Sequence, residues 1–156
     1  MDIVRLSVPG TLAYRDLVLR VVASACRLVR RTAELTQEPG QEKVDDFDDK
    51  IVSAVSEAFN NVAMHAYRNA RGAAEIELEF EGDSLIIRIL DTGNGFELSE
   101  ALGQDLETLR ESNMGLEIML ACMDHVTYTR GGPTGPNVLT MTKSYLAKAV
   151  GATRPG

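Results

Sequence analysis

Hydrophobic positions along the chain switch between a strand-like and a helical period. IVRLSV, closed by Pro9-Gly10, reads as a first strand followed by a turn. From Leu12 to about Thr32, apolar residues recur at helical spacing through Leu17, Val18, Val21, Val22, Ala25, Cys26, Leu28 and Val29, which predicts a long helix. TQEPGQE, with Pro39-Gly40 as its turn signal, is the linker after it. A second helix is expected from near Asp45 or Asp46, whose carboxylates suit a helix N-terminus, to NARG. Its apolar positions are Phe47, Ile51, Ala54, Val55, Ala58 and Val62.

The period then drops to two. AAEIELEFEGDSLIIRILD alternates and turns at Glu81-Gly82-Asp83, predicting a hairpin with strands near 73–80 and 85–90. DTGNGF is a glycine-rich loop, and LSEALGQDLETLRESN is polar, irregular and too long for a tight turn. MGLEIMLACMDH predicts a third helix, HVTYTR a strand, GGPTGPN a turn and VLTMTKSYL a last strand. Helices interrupt early and strands adjoin late. This order predicts an α/β (α+β) two-layer sandwich, with a mixed, largely antiparallel sheet and helices on one face. The expected division is one domain over 1–146 and a polar C-terminal tail over 147–156.

Composition narrows the class. With 156 residues, 44% hydrophobic and 25% charged, the chain is long enough to bury a real core and matches a globular protein. The 16 Lys and Arg against 23 Asp and Glu give a net charge of −7, which argues against a broad nucleic-acid surface. The short basic run Arg27 to Arg31 fits a solvated helix face. Cys26 and Cys122 lack metal or CxxC spacing and read as reduced core thiols. The N-terminus does not resemble a signal peptide, and no segment approaches the roughly 18 apolar residues of a membrane span. A soluble, cytoplasmic protein is expected, with no membrane partner and no direct nucleic-acid binding.

Three segments carry candidate chemistry. In EAFNNVAMHAY, Glu57, Asn61 and His65 stand at i, i+4 and i+8, so a helix sets a carboxylate, an amide and an imidazole in one stripe. His65 fits equally a group that caps a core hydrogen-bond network. DTGNGF places Asp91 where a carboxylate leaves an apolar strand, able to accept a hydrogen bond from an exocyclic amine. Gly93 and Gly95 would let a flat ligand approach closely. A plain tight turn explains that loop as well. ESNMGLEIM sets Met114 and Gly115 at a helix start, where free N–H groups favour phosphate.

The order and spacing of these segments resemble the ATP-binding fold of the GHKL superfamily, from roughly residue 3 to residue 146. SEAFNNVAMHAY, DTGNGF, LRESNMGLEIM and ACMDHV look most like the bacterial anti-sigma factor serine/threonine kinases. The resemblance implies ATP with Mg²⁺ in a histidine-kinase-type ATPase fold. Asn61 would then supply the side-chain oxygen for Mg²⁺, a hard cation that keeps several waters. Glu57 would be the general base and His65 a phosphate contact. Asp91 would read adenine, with Gly93 and Gly95 as loop glycines and Met114 and Gly115 at the end of the phosphate-binding lid. Arg110, the one basic residue of the lid, would neutralise charge in phosphoryl transfer.

By the same resemblance, the partners would be a sigma factor and a small anti-anti-sigma (STAS-type) protein phosphorylated on serine, often with the kinase as a homodimer. Two other readings stand beside it: a non-catalytic ATP-binding anti-sigma module, and the catalytic domain of a histidine kinase. The chain departs from the family pattern in two places. Asn113 stands where a second glycine is common, and Gly135-Pro136-Asn137 replaces the usual Gly-Thr near the last strand.

Overall fold

In a strand, successive side chains point to opposite faces, so the phase of the alternation decides which residues meet the helices. The computed structural model describes residues 2–66, 72–93, 115–132 and 135–147, with the side chains of 65 and 66 outside the description. In chain order the elements are β1 (Asp2–Pro9), a 3-10 turn (Leu12–Tyr14), α1 (Arg15–Thr36), α2 (Phe47–Asn61) and a π-type turn (Val62–Ala66). There follow β2 (Ala73–Glu81), β3 (Ser84–Asp91), α3 (Leu116–Cys122), β4 (His125–Thr129) and β5 (Asn137–Ser144).

The described strands form one sheet in the order β1-β2-β3-β5-β4. Every pairing among them is antiparallel, so the mixed sheet expected from the sequence contains no parallel pair in the described residues. The reason is directional: β2 and β3 are a hairpin, and the chain returns through β4 at the sheet edge and then β5, which runs against both β4 and β3.

Register aligns the inward side chains in rows. Leu6, Ile76, Ile89, Leu139 and Tyr128 lie side by side across five strands, and Val4, Leu78, Ile87, Met141 and Val126 form the next row. The opposite face is largely polar, with Arg5 Nε 3.0 Å from Glu77 Oε1 and Arg88 paired to Glu79. The described helices cover the first face. α1 buries Val18, Val22, Ala25, Cys26, Val29 and Ala33, and α2 buries Phe47, Ile51, Ala54, Val55, Ala58 and Phe59. α1 extends past the expected end near Thr32 because Ala33 continues its buried stripe.

α2 starts where expected, directly after Asp46, but without the expected capping carboxylate. Asp46 precedes the helix in a left-handed conformation (φ 59°), and its side chain makes no capping hydrogen bond. The acids of the first turn are Asp48 and Asp49. Asp48 instead accepts from Arg30 Nη2 of α1 at 2.9 Å, leaving Arg30 Nε and Asp48 Oδ1 buried without partners. A half-exposed pair is worth about 1 kcal/mol or less, and each unpaired buried group costs roughly 1–3 kcal/mol. The contact therefore fixes how α1 sits on α2 more than it stabilises the fold.

α3 is shorter than the pattern suggested. Met123 is already extended, and Asp124 N–H donates to Thr142 O while Asp124 Oδ2 accepts from Ser144 N–H, so the chain has joined the sheet by then. Both cysteines are unpaired. Burial pushes the Cys26 thiol up to about 12, with the nearby Asp48 carboxylate adding to the shift, so it stays protonated. No described helix is long and apolar enough to cross a membrane.

The register makes a paired prediction at neighbouring positions. Ile87 is fully buried on the helix-facing side, whereas Ile86 points to the other face. Ile87→Ala is expected to cost about 2–5 kcal/mol in urea unfolding, the usual range for a buried isoleucine. Ile86→Ala should cost clearly less. Equal losses would contradict the register.

Candidate functional site

β3 points Leu85, Ile87, Ile89 and Asp91 toward the helices, so Asp91 occupies a place where the alternation sets apolar residues. β5 does the same with Asn137, Leu139, Met141 and Lys143. Asp91 and Asn137 are direct cross-strand partners, at the end of a third inward row that begins Val8, Ala74. Both polar side chains are buried, 8% and 4% exposed.

Burial of a polar group demands hydrogen bonds. Asp91 Oδ1 accepts from Gly93 N–H and from Asn137 Nδ2, each at 3.0 Å. Asn137 Nδ2 also donates to Gly93 O at 3.1 Å, and Asn137 Oδ1 accepts from Gly131 N–H at 2.9 Å. Both bonds to the Asp91 carboxylate fall on Oδ1; Oδ2 accepts none from the described residues. Burial holds the Asp91 carboxyl above its ordinary range, and the bonds from Asn137 and Gly93 offset part of that rise.

A second cluster lies on α2, on the same helix-covered side. Glu57 and Asn61 are one turn apart in the α-helix, which ends at Asn61 and widens into the π-type turn carrying His65. Gly115, immediately before α3, has φ 81°. A Cβ there would meet Glu57 Oε2 closely and come within 2.6 Å of Glu57 Cβ and 2.8 Å of Cδ. The Glu57 side chain thus fills the space that any other residue at 115 would need, and the positive φ favours glycine independently. Asn60 is held by Arg15 Nη1 at 3.0 Å, a bond between α2 and the start of α1.

The sequence-predicted residues divide as follows. Glu57 meets Gly115, Asn61 follows Glu57 on α2, and Asp91 and Gly93 form the strand-end cluster. The side chain of His65, together with Gly95, Arg110, Asn113 and Met114, lies outside the described residues. Asn137 is the residue that sequence reasoning undervalued. Its signal was present: counted back from Met141 and Leu139, position 137 falls on the inward phase of β5. Among the described residues no group of three or more His, Cys, Asp or Glu side chains can hold a metal ion.

Asp91→Asn should separate the fold from the charge. An asparagine carbonyl can keep the bonds from Gly93 and Asn137 while the buried charge disappears. Because the folded carboxyl is raised, wild-type stability falls as pH climbs from the ordinary carboxylate range through the raised value. Urea unfolding is expected to show the variant gaining on wild type as pH rises through that window. A stability difference independent of pH would contradict a strained carboxylate.

Residues 8–143 match the family model described as the histidine kinase-like ATPase domain. The chain is similar to the anti-sigma F factor of Clostridium acetobutylicum, 31% identical over 113 residues, covering 70% of this chain and 76% of the relative. It is also similar to the serine-protein kinase RsbW of Staphylococcus aureus, 32% identical over 143 residues, covering 83% and 86%. With a match spanning nearly the whole chain and an antiparallel sheet covered by helices on one face, this protein belongs to the histidine kinase-like (GHKL) ATPase family, alongside anti-sigma factor kinases.

Proposed function

We propose that this protein is an ATP-dependent serine/threonine protein kinase that acts as an anti-sigma factor, phosphorylating a serine of an anti-anti-sigma (STAS-type) protein. The observation that carries the reading is Glu57, set one turn before Asn61 and packed against Gly115. The relatives' names, anti-sigma F factor and serine-protein kinase, support it. Its place of action would be the cytoplasm, with a sigma factor as the second partner and a homodimer as the working form.

The residues fit a nucleotide with Mg²⁺. A buried aspartate whose second oxygen takes no bond from the described residues suits an exocyclic amine, and a glycine that leaves no room for a Cβ suits a crowded phosphate end. Bound MgATP would supply the transferable phosphoryl group and the cation that screens its charge. Asn61 offers a hard oxygen to that cation, and one protein ligand is enough for an ion that keeps its waters. Glu57 takes the proton of the attacking serine hydroxyl, and Asp91 fixes the base. His65, Gly93, Gly95, Met114 and Gly115 would complete the nucleotide contacts, and Arg110 would bear the compensating charge.

Co-purification identifies the STAS-type substrate, and radiolabelled ATP then reads transfer to it. Glu57→Gln should bind ADP as wild type does and transfer phosphate about 10²–10⁴-fold more slowly, the usual span for a lost general base. Asn61→Ala should weaken Mg²⁺-dependent ATP binding instead. Wild-type transfer by Glu57→Gln would remove the base assignment, and absence of any transfer to a captured partner would remove the kinase.

A further inference from the structure

The position where the family's Gly-Thr is replaced holds the most completely bonded side chain at the strand-end cluster. We infer that Asn137 is the positioning residue that sets base selectivity: it fixes Asp91 so that one carboxylate oxygen is occupied by the protein and the other faces the ligand as an acceptor. This rests on the nucleotide reading above and deepens it.

A carboxamide has two N–H donors and one carbonyl oxygen. At Asn137 both donors and the oxygen are in use, on Asp91 Oδ1, on Gly93 O and on Gly131 N–H. Those three bonds tie together the end of β3, the loop that follows it and the connection from β4 to β5. The connection is folded tightly enough for this: a Cβ on Gly131 would come within 2.5 Å of the Pro136 backbone, and Gly135 N–H bonds Gly132 O at 3.2 Å. No other side chain of this length replaces the set. Aspartate has no donor, and serine or threonine has one hydrogen, which can serve Asp91 or Gly93 but not both.

The consequence is chemical selection. With Oδ1 held by two N–H groups, an ionised Asp91 presents Oδ2 only as an acceptor, matching a purine with an amine at position 6 and opposing one with a carbonyl there. Without Asn137 only the Gly93 N–H still holds Oδ1, and burial, no longer offset by the Asn137 bond, favours the protonated form more strongly. A protonated carboxyl donates, so it tolerates the carbonyl. Loss of Asn137 should therefore reduce discrimination and not merely affinity, whereas general loosening of the site would weaken both ligands together.

Calorimetry with ADP and inosine diphosphate on the full chain tests this. Wild type should prefer ADP. Asn137→Leu, similar in size but without hydrogen bonds, should lose about tenfold or more in ADP affinity, as expected for a hydrogen bond to a charged group, with inosine diphosphate affected far less. Asn137→Ser, retaining one donor, should keep part of the preference, and it carries the test alone if the leucine variant fails to fold. A folded variant with the wild-type ratio of affinities overturns the assignment while leaving the nucleotide reading intact. Wild type that binds neither nucleotide overturns both.

Discussion

A carboxylate on the buried face of a sheet is stable only where protein donors replace the water it has lost. Asp91 is in that position because the alternation that buries Leu85, Ile87 and Ile89 buries it too. One donor, Gly93 N–H, comes from the chain just beyond the strand. The other must come from across the sheet, which requires β5 to run beside β3 with Asn137 opposite Asp91. Asn137 in turn needs an N–H for its own oxygen, supplied by Gly131, where a side chain would strike the Pro136 backbone. A single buried charge thus constrains a register, an amide and a glycine in three separate stretches of sequence.

α2 joins this end to the rest of the molecule. Phe47, Ile51, Ala54, Val55, Ala58 and Phe59 bury its inner stripe, and each large side chain among them contributes about 1.5–3 kcal/mol when fully covered. That grip leaves the partly exposed residues of the helix, Glu57 and Asn61, free of the demands of core packing. Asp48 contacts α1 and Glu57 contacts Gly115, so the helix is positioned from both sides while it carries the stripe.

Much of this was legible in the sequence, in proportion to how local the cause was. The β2–β3 hairpin follows from alternation around Glu81-Gly82-Asp83, and α1 and α2 follow from apolar spacing. Helix ends were less legible because tertiary contacts set them: Ala33 prolongs α1, and the bonds of Asp124 to β5 stop α3 early. Asp46 suggested a capping carboxylate, but the chain uses it for a left-handed turn. Glu57, Asn61 and Asp91 stood out because polar residues interrupt apolar patterns there. Asn137 did not, because a substitution judged by motif looks like a loss, and its hydrogen bonds depend on a cross-strand partner 46 residues away. Lys143 tells the same story at the other end of the inward face, buried beside Asp124 at 3.6 Å.

The two clusters rest on different kinds of support. Asp91 and Asn137 are fixed by strand register, which cannot slip by one residue without turning a whole apolar row to the wrong face. Glu57 and Gly115 meet where α2 packs on α3, and α3 has 7 residues, too few to hold a helix unaided. Its order comes from burying Leu116 and Met119 against the core. Small changes in that packing would move Glu57 against Gly115 without disturbing the strand end. A chain built this way can keep the strand-end cluster of Asp91 and Asn137 constant while the contact of Glu57 with Gly115 is adjusted.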